Sequence, residues 1–95
     1  MNAVHVVTGW TIEGSSWNVR AFAEADGAVE YANVLRGLVA DVNAMPKPFG
    51  EACRGAAGLR LLRLDPDGDN RGPFIPAYGV VTVPFGPVPT EEMGR

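Results

Sequence analysis

Two stretches near the start of the chain, residues 4–10 and 16–24, carry the hydrophobic pattern of strands. In both, β-branched or aromatic residues recur at alternate positions, which is typical of a pleated, half-buried surface. Valines on both faces of the first stretch indicate a central strand rather than an edge strand. The connection between the two stretches, residues 9–15, holds two glycines and predicts a hairpin loop longer than a two-residue turn.

A helix over residues 28–42 is the clearest prediction from the pattern. Its apolar residues recur at spacings of three and four, as in one face of an amphipathic helix: Ala28, Tyr31, Ala32, Leu35, Leu38, Val39 and Val42. Asp26 is the expected N-cap, because its carboxylate can accept backbone N–H bonds. Pro46 and Pro48 prevent the helix from continuing. Gly37 within it either permits a close approach to the sheet or is tolerated at a small cost.

The second half of the chain gives weaker signals. Residues 46–58 fit a short helical turn or an ordered loop equally well, and residues 59–64, apolar but without a clean period, are read as a strand. Residues 65–76 are rich in Pro, Gly, Asp and Asn and predict a surface loop, and residues 78–85 predict the last strand, with Pro84 at its end or edge.

The predicted fold class is therefore α+β. We expect two layers, with a three- to four-stranded, mostly antiparallel sheet packed on one main helix in the order β-β-α-β-β. The domain should span residues 1–86, and residues 87–95, with two prolines, should form a flexible tail. The side chains expected to be mostly buried are Val6, Val19, Phe22, Leu35, Leu38, Val39 and Val81.

Composition narrows the function classes. A chain of 95 residues with 46% hydrophobic residues is expected to form one domain with a modest core. Its net charge of −3 disfavours phosphate binding, so nucleic acid is not an expected partner. The single cysteine, Cys53, cannot form an internal disulfide, which favours the cytoplasm. Neither a signal-peptide pattern nor an apolar run long enough to span a membrane is present in the sequence.

Three features suggest chemistry, and each has a simpler structural interpretation. Asp65, Asp67 and Asp69 alternate as in the start of a calcium loop, but Asn70 and Pro76 stand where an EF-hand needs Gly and Glu, so we expect solvated carboxylates without an ion. His5, on a strand of valines, is expected to be a partly buried structural residue. Cys53, among small residues, is expected to be an inert thiol. We therefore predict no catalytic residue, no metal site and no cofactor, and the chain is not expected to be an enzyme.

Binding residues are predicted on two loops. Trp10 lies beyond the end of the first strand, and tryptophan is common as an interface anchor. Its neighbours Ile12 and Glu13 are expected to contribute to the same surface. Phe74 and Ile75 lie between prolines in a loop, where apolar side chains need either burial or a partner.

The order of these segments resembles a plan found in small uncharacterised accessory proteins of tailed phages and prophages. The matching segments are Val6-Val7-Thr8-Gly9, Trp17-Asn18-Val19-Arg20-Ala21-Phe22, the helix around Tyr31, Leu64-Asp65-Pro66-Asp67 and Tyr78-Gly79-Val80-Val81-Thr82-Val83-Pro84. The resemblance covers most of residues 3–85 and implies no catalytic residue. It implies a non-catalytic protein-binding module that inhibits a host or defence complex in the host cytoplasm, as anti-CRISPR proteins do. The alternatives are a structural homo-oligomer, such as a homodimer, and a small metal-dependent enzyme.

Overall fold

The computed structural model describes residues 2–71 and 75–85, without the side chains of residues 2, 69–71 and 85. In chain order its elements are β1 (Asn2–Trp10), β2 (Ser16–Phe22), α1 (Ala25–Asn43), α2 (Phe49–Ala52), α3 (Ala56–Leu64), a 3-10 helix (Pro66–Arg71) and β3 (Ala77–Phe85). The predicted tail, residues 87–95, lies outside the described residues.

The described strands form one antiparallel sheet in the order β2-β1-β3. The central position of β1 confirms the prediction of a central strand, which rests on the valines on both its faces. The β1–β2 pairing changes register between Val7 and Thr8, which marks a bulge on the β2 side at Val19. At the β3 edge, the Arg36 side chain of α1 donates from Nε to the Tyr78 carbonyl at 2.9 Å, so this edge is partly covered.

Helix α1 packs on all three strands with the face that its periodicity predicts. Its buried residues are Ala28, Ala32, Leu35, Leu38 and Val42. The helix begins three residues earlier than predicted, at Ala25, so the N-cap is Glu24 and the prediction of Asp26 as the cap is wrong. Gly37 is exposed and a Cβ there would meet nothing within 4 Å, so this glycine is tolerated rather than required.

The fourth strand that we predict for residues 59–64 is wrong, and with it the order β-β-α-β-β. These residues belong to α3, whose buried or half-buried positions, Ala57, Gly58, Leu61 and Leu64, lie on one helical face. The segment consists of leucine and arginine, which favour helices, and has no β-branched residue. The chain therefore has the coarse α+β class with three described strands, and α3 lies along α1 in the helix layer.

The core lies between the sheet and the helix layer. It comprises Val7, Ala28, Ala32, Leu35, Leu38, Val42, Phe49, Ala52, Leu61 and Tyr78. Leu35 and Leu38 are buried as predicted, whereas Val6, Val19, Phe22 and Val39 are only half-buried. Val81 is 52% exposed, so its predicted burial is wrong. It pairs with Val6 on the outer face of the sheet, while Val80 pairs with the buried Val7 on the helix side.

Two contacts fasten β2 and α3 to α1. The Arg20 guanidinium lies 5.6 Å from the centroid of the Phe22 ring and 5.8 Å from that of the Tyr31 ring, within the range of cation–π attraction. The Tyr31 hydroxyl donates to the Leu64 carbonyl at 2.5 Å, near the end of α3. Tyr31 thus links the first part of α1 with the last residue of α3.

Candidate interaction surface

The hairpin loop between β1 and β2 projects its tip into solvent. The Gly14 N–H donates to the Thr11 carbonyl at 3.1 Å, and the Thr11 N–H donates to the Ser15 carbonyl at 2.9 Å. Gly14 has φ of 105°, a conformation that a residue with a side chain rarely adopts. These bonds place Ile12 and Glu13 at the tip, where Ile12 is 95% exposed.

The base of the loop is fixed to the domain. Thr11 is 4% exposed, and its Oγ1 has no hydrogen-bond partner among the described residues. The Ser15 hydroxyl donates to the Glu13 carboxylate, which holds the charged residue beside the tip. Ile12 is therefore presented by an ordered turn.

Two further apolar side chains lie at the same end of the sheet. Trp10 is 43% exposed, and its ring lies against Gly79, where a Cβ would come within 3.0 Å of it. Trp10 is the last residue of β1 and pairs with Ala77, so the expectation that it lies beyond the strand is wrong. Ile75, two residues before Ala77 and 46% exposed, belongs to the same end. We call Trp10, Ile12 and Ile75 the hairpin-end patch. Phe74, the fifth predicted binding residue, lies outside the described residues.

A buried aspartate, which the sequence does not reveal as such, lies between the sheet and the helix layer. Asp65 is 1% exposed. The indole Nε1 of Trp17 donates to both its carboxyl oxygens, at 3.1 and 3.0 Å, and the Tyr78 hydroxyl donates to Oδ2 at 2.5 Å. The two donor rings meet edge to face, with centroids 6.5 Å apart. We call these three residues the Asp65 cluster.

Gly9 makes room for this cluster. It is the cross-strand partner of Trp17, and a Cβ at Gly9 would lie 2.6 Å from the indole ring. The indole therefore covers the backbone of β1 at this point and reaches Asp65 with its N–H. A larger residue at position 9 would have to displace the ring, because atoms do not approach that closely.

The prediction of three solvated carboxylates is wrong for Asp65. Asp67 is exposed as predicted, and the side chain of Asp69 is not described. Asp65 follows the last residue of α3 directly, and its donors lie 48 and 13 residues away. Only the tertiary fold brings them together, so no local pattern could have signalled the cluster.

The remaining candidates have structural surroundings. His5 is half-buried and shares a hydrogen bond of 3.0 Å between Nδ1 and the Thr82 hydroxyl of β3. Cys53 is half-buried between α2 and α3. Within residues 2–71 and 75–85, no group of three or more His, Cys, Asp or Glu side chains is placed to hold a metal ion. In the same residues, no helix has both the length and the apolar character to cross a membrane.

Comparison with known proteins adds no relative. No protein-family model, curated protein or solved structure matches this chain. The resemblance to phage accessory proteins therefore stays a prediction from the sequence.

Proposed function

We propose that this chain is a non-catalytic protein-binding module that engages its partner through the hairpin-end patch. The observation that carries the proposal is the 95% exposure of Ile12 on an ordered turn, next to the part-exposed Trp10 and Ile75. Large apolar side chains on a rigid base lose little freedom when they enter a pocket, which favours their use as anchors. Glu13 beside the tip supplies a charged rim position.

The partner and compartment follow from the sequence interpretation. The phage-like plan adds inhibition of a host or defence complex in the cytoplasm, and this extension rests on the resemblance alone. The net charge of −3 argues for a protein partner rather than nucleic acid. A structural homo-oligomer is the second candidate. A different observation favours it, namely the exposed Val81 on the sheet face that points away from the helices.

The test is retention of cellular proteins on the immobilised chain, compared between matched variants. Ile12→Asp places a charge in the anchor, and Leu59→Asp places the same charge at a leucine of α3 that is 55% exposed. A partner of the patch should be retained by wild type and by Leu59→Asp. We expect its affinity for Ile12→Asp to fall at least tenfold, about 1.4 kcal/mol, as measured by calorimetry. Equal retention by all three proteins would overturn the proposal.

A further inference from the structure

The outer face of the sheet is uncharged along its whole described length. Residues that pair across strands share a face, so the register defines this face from Val6, which pairs with Ala21 and Val81. Its members, which we call the outer face, are Val4, Val6, Thr8, Trp10, Ser16, Asn18, Ala21, Ala77, Gly79, Val81 and Val83. Charged residues make up 20% of the chain, yet none is among them.

Within the described residues, the helices lie on the other side of the sheet, where Val7 and Tyr78 are buried. The outer face is therefore open, with Val81 52% and Val83 44% exposed. An antiparallel sheet with one face in water usually alternates apolar and polar residues, so that the wet face is polar. Here the wet face has valines at its centre, in two neighbouring cross-strand pairs, Val4–Val83 and Val6–Val81. Such a surface is expected to be covered.

We propose that the outer face is covered by the same face of a second copy, in a face-to-face homodimer. Complementary charges help an interface to select a partner other than a second copy of itself, and the outer face has no charged residue. A two-fold axis brings a surface against itself, so two uncharged valine surfaces match in polarity by symmetry. Paired sheets of this kind stack about 10 Å apart with their strands within about 30° of each other.

The area of the outer face limits how much surface the dimer can bury. Strands of nine residues are about 30 Å long and three strands are about 14 Å wide, so the flat area is about 400 Å² per copy. Two copies would thus bury about 800 Å², without the additional area of protruding side chains, whereas stable specific interfaces bury about 1,200–2,000 Å². The dimer is therefore expected to be weak and transient, as interfaces below about 1,200 Å² are.

Sedimentation equilibrium from about 5 to 500 µM tests the proposal, since this span covers weak association in the micromolar range. Wild type should shift from 10.1 kDa towards twice that mass as the concentration rises. Val81→Lys, which places a charge at the centre of the outer face, should stay monomeric. Val29→Lys is the matched control, because Val29 is 46% exposed on α1, and it should dimerise like wild type.

Circular dichroism checks that each variant is folded. If Val81→Lys unfolds, Val81→Thr takes its place, because it keeps the β-branched shape and exchanges one methyl group for a hydroxyl. It should weaken the dimer about fivefold. A wild type that is monomeric at every concentration would overturn the proposal, as would Val81 variants that dimerise like wild type. Trp10 belongs to both surfaces, but Ile12 lies at the hairpin tip, outside the outer face. A monomeric wild type would therefore overturn the homodimer, which is the second candidate function, and leave partner binding through Ile12 untouched.

Discussion

Removing the carboxyl group of Asp65 should be among the most destabilising single changes in this chain. In Asp65→Ala the Trp17 N–H and the Tyr78 hydroxyl lose the acceptor to which both donate. Removing the acceptor of a buried donor costs about 1–3 kcal/mol, and Trp17 is only half-buried, so we expect the free energy of unfolding to fall by about 1–6 kcal/mol. A domain of this kind has about 5–15 kcal/mol to lose.

Two companion variants separate the loss of the hydrogen-bond acceptor from the loss of a carboxylate as such. In Asp65→Asn a single oxygen at the Oδ2 position can still accept from both Trp17 and Tyr78, since both reach that atom. The loss should therefore be smaller than in Asp65→Ala. Asp67→Ala removes an exposed carboxylate two residues further on and should change stability by less than about 0.5 kcal/mol.

Urea unfolding followed by far-ultraviolet circular dichroism measures these differences from the midpoint and the slope of the transition. The double variant Asp65→Ala with Tyr78→Phe completes a thermodynamic cycle, because it contains neither partner of the hydrogen bond between these two side chains. Its loss should be smaller than the sum of the two single losses by about 0.5–3 kcal/mol. If Asp65→Ala and Asp67→Ala unfold within about 0.5 kcal/mol of each other, the Asp65 cluster does not hold the layers together.

The glycines provide the remaining predictions. Gly37→Ala should raise the free energy of unfolding by about 0.5–1 kcal/mol, because the position is helical and open. Its matched control within α3, Gly58→Ala, should lower the free energy of unfolding by several times as much, because the new Cβ would lie 2.0 Å from the Cys53 carbonyl oxygen. Urea unfolding measures both changes, and the same sign for both would contradict the assignment. Gly9→Ala should displace the Trp17 indole and increase the solvent quenching of its fluorescence, and an unchanged spectrum and melting temperature would count against that contact.

The parts of the fold that local pattern determines could be predicted from the sequence. The buried face of α1 follows from the three- and four-residue spacing around Leu35, and the central position of β1 follows from valines on both its faces. The face of β3 could not be predicted, since Val80 and Val81 are the same residue type and only the register on β1 decides which of them faces the helix layer. The Asp65 cluster was equally inaccessible, because its members are joined only by the packing of the sheet against the helix layer.

Two tryptophans each lie on a glycine of a neighbouring strand, on opposite faces of the sheet, at the end that carries the hairpin. Trp17 covers Gly9 on the helix side, and Trp10 covers Gly79 of the neighbouring strand on the outer side. The indole of Trp17 is in turn fixed by its two contacts with Asp65. The hairpin therefore starts from a base that is held from both sides, and Ile12 needs little ordering on binding, which favours affinity. This links the buried cluster to the proposed function: a change at Asp65 that loosens Trp17 should weaken partner binding even though Asp65 is remote from the surface.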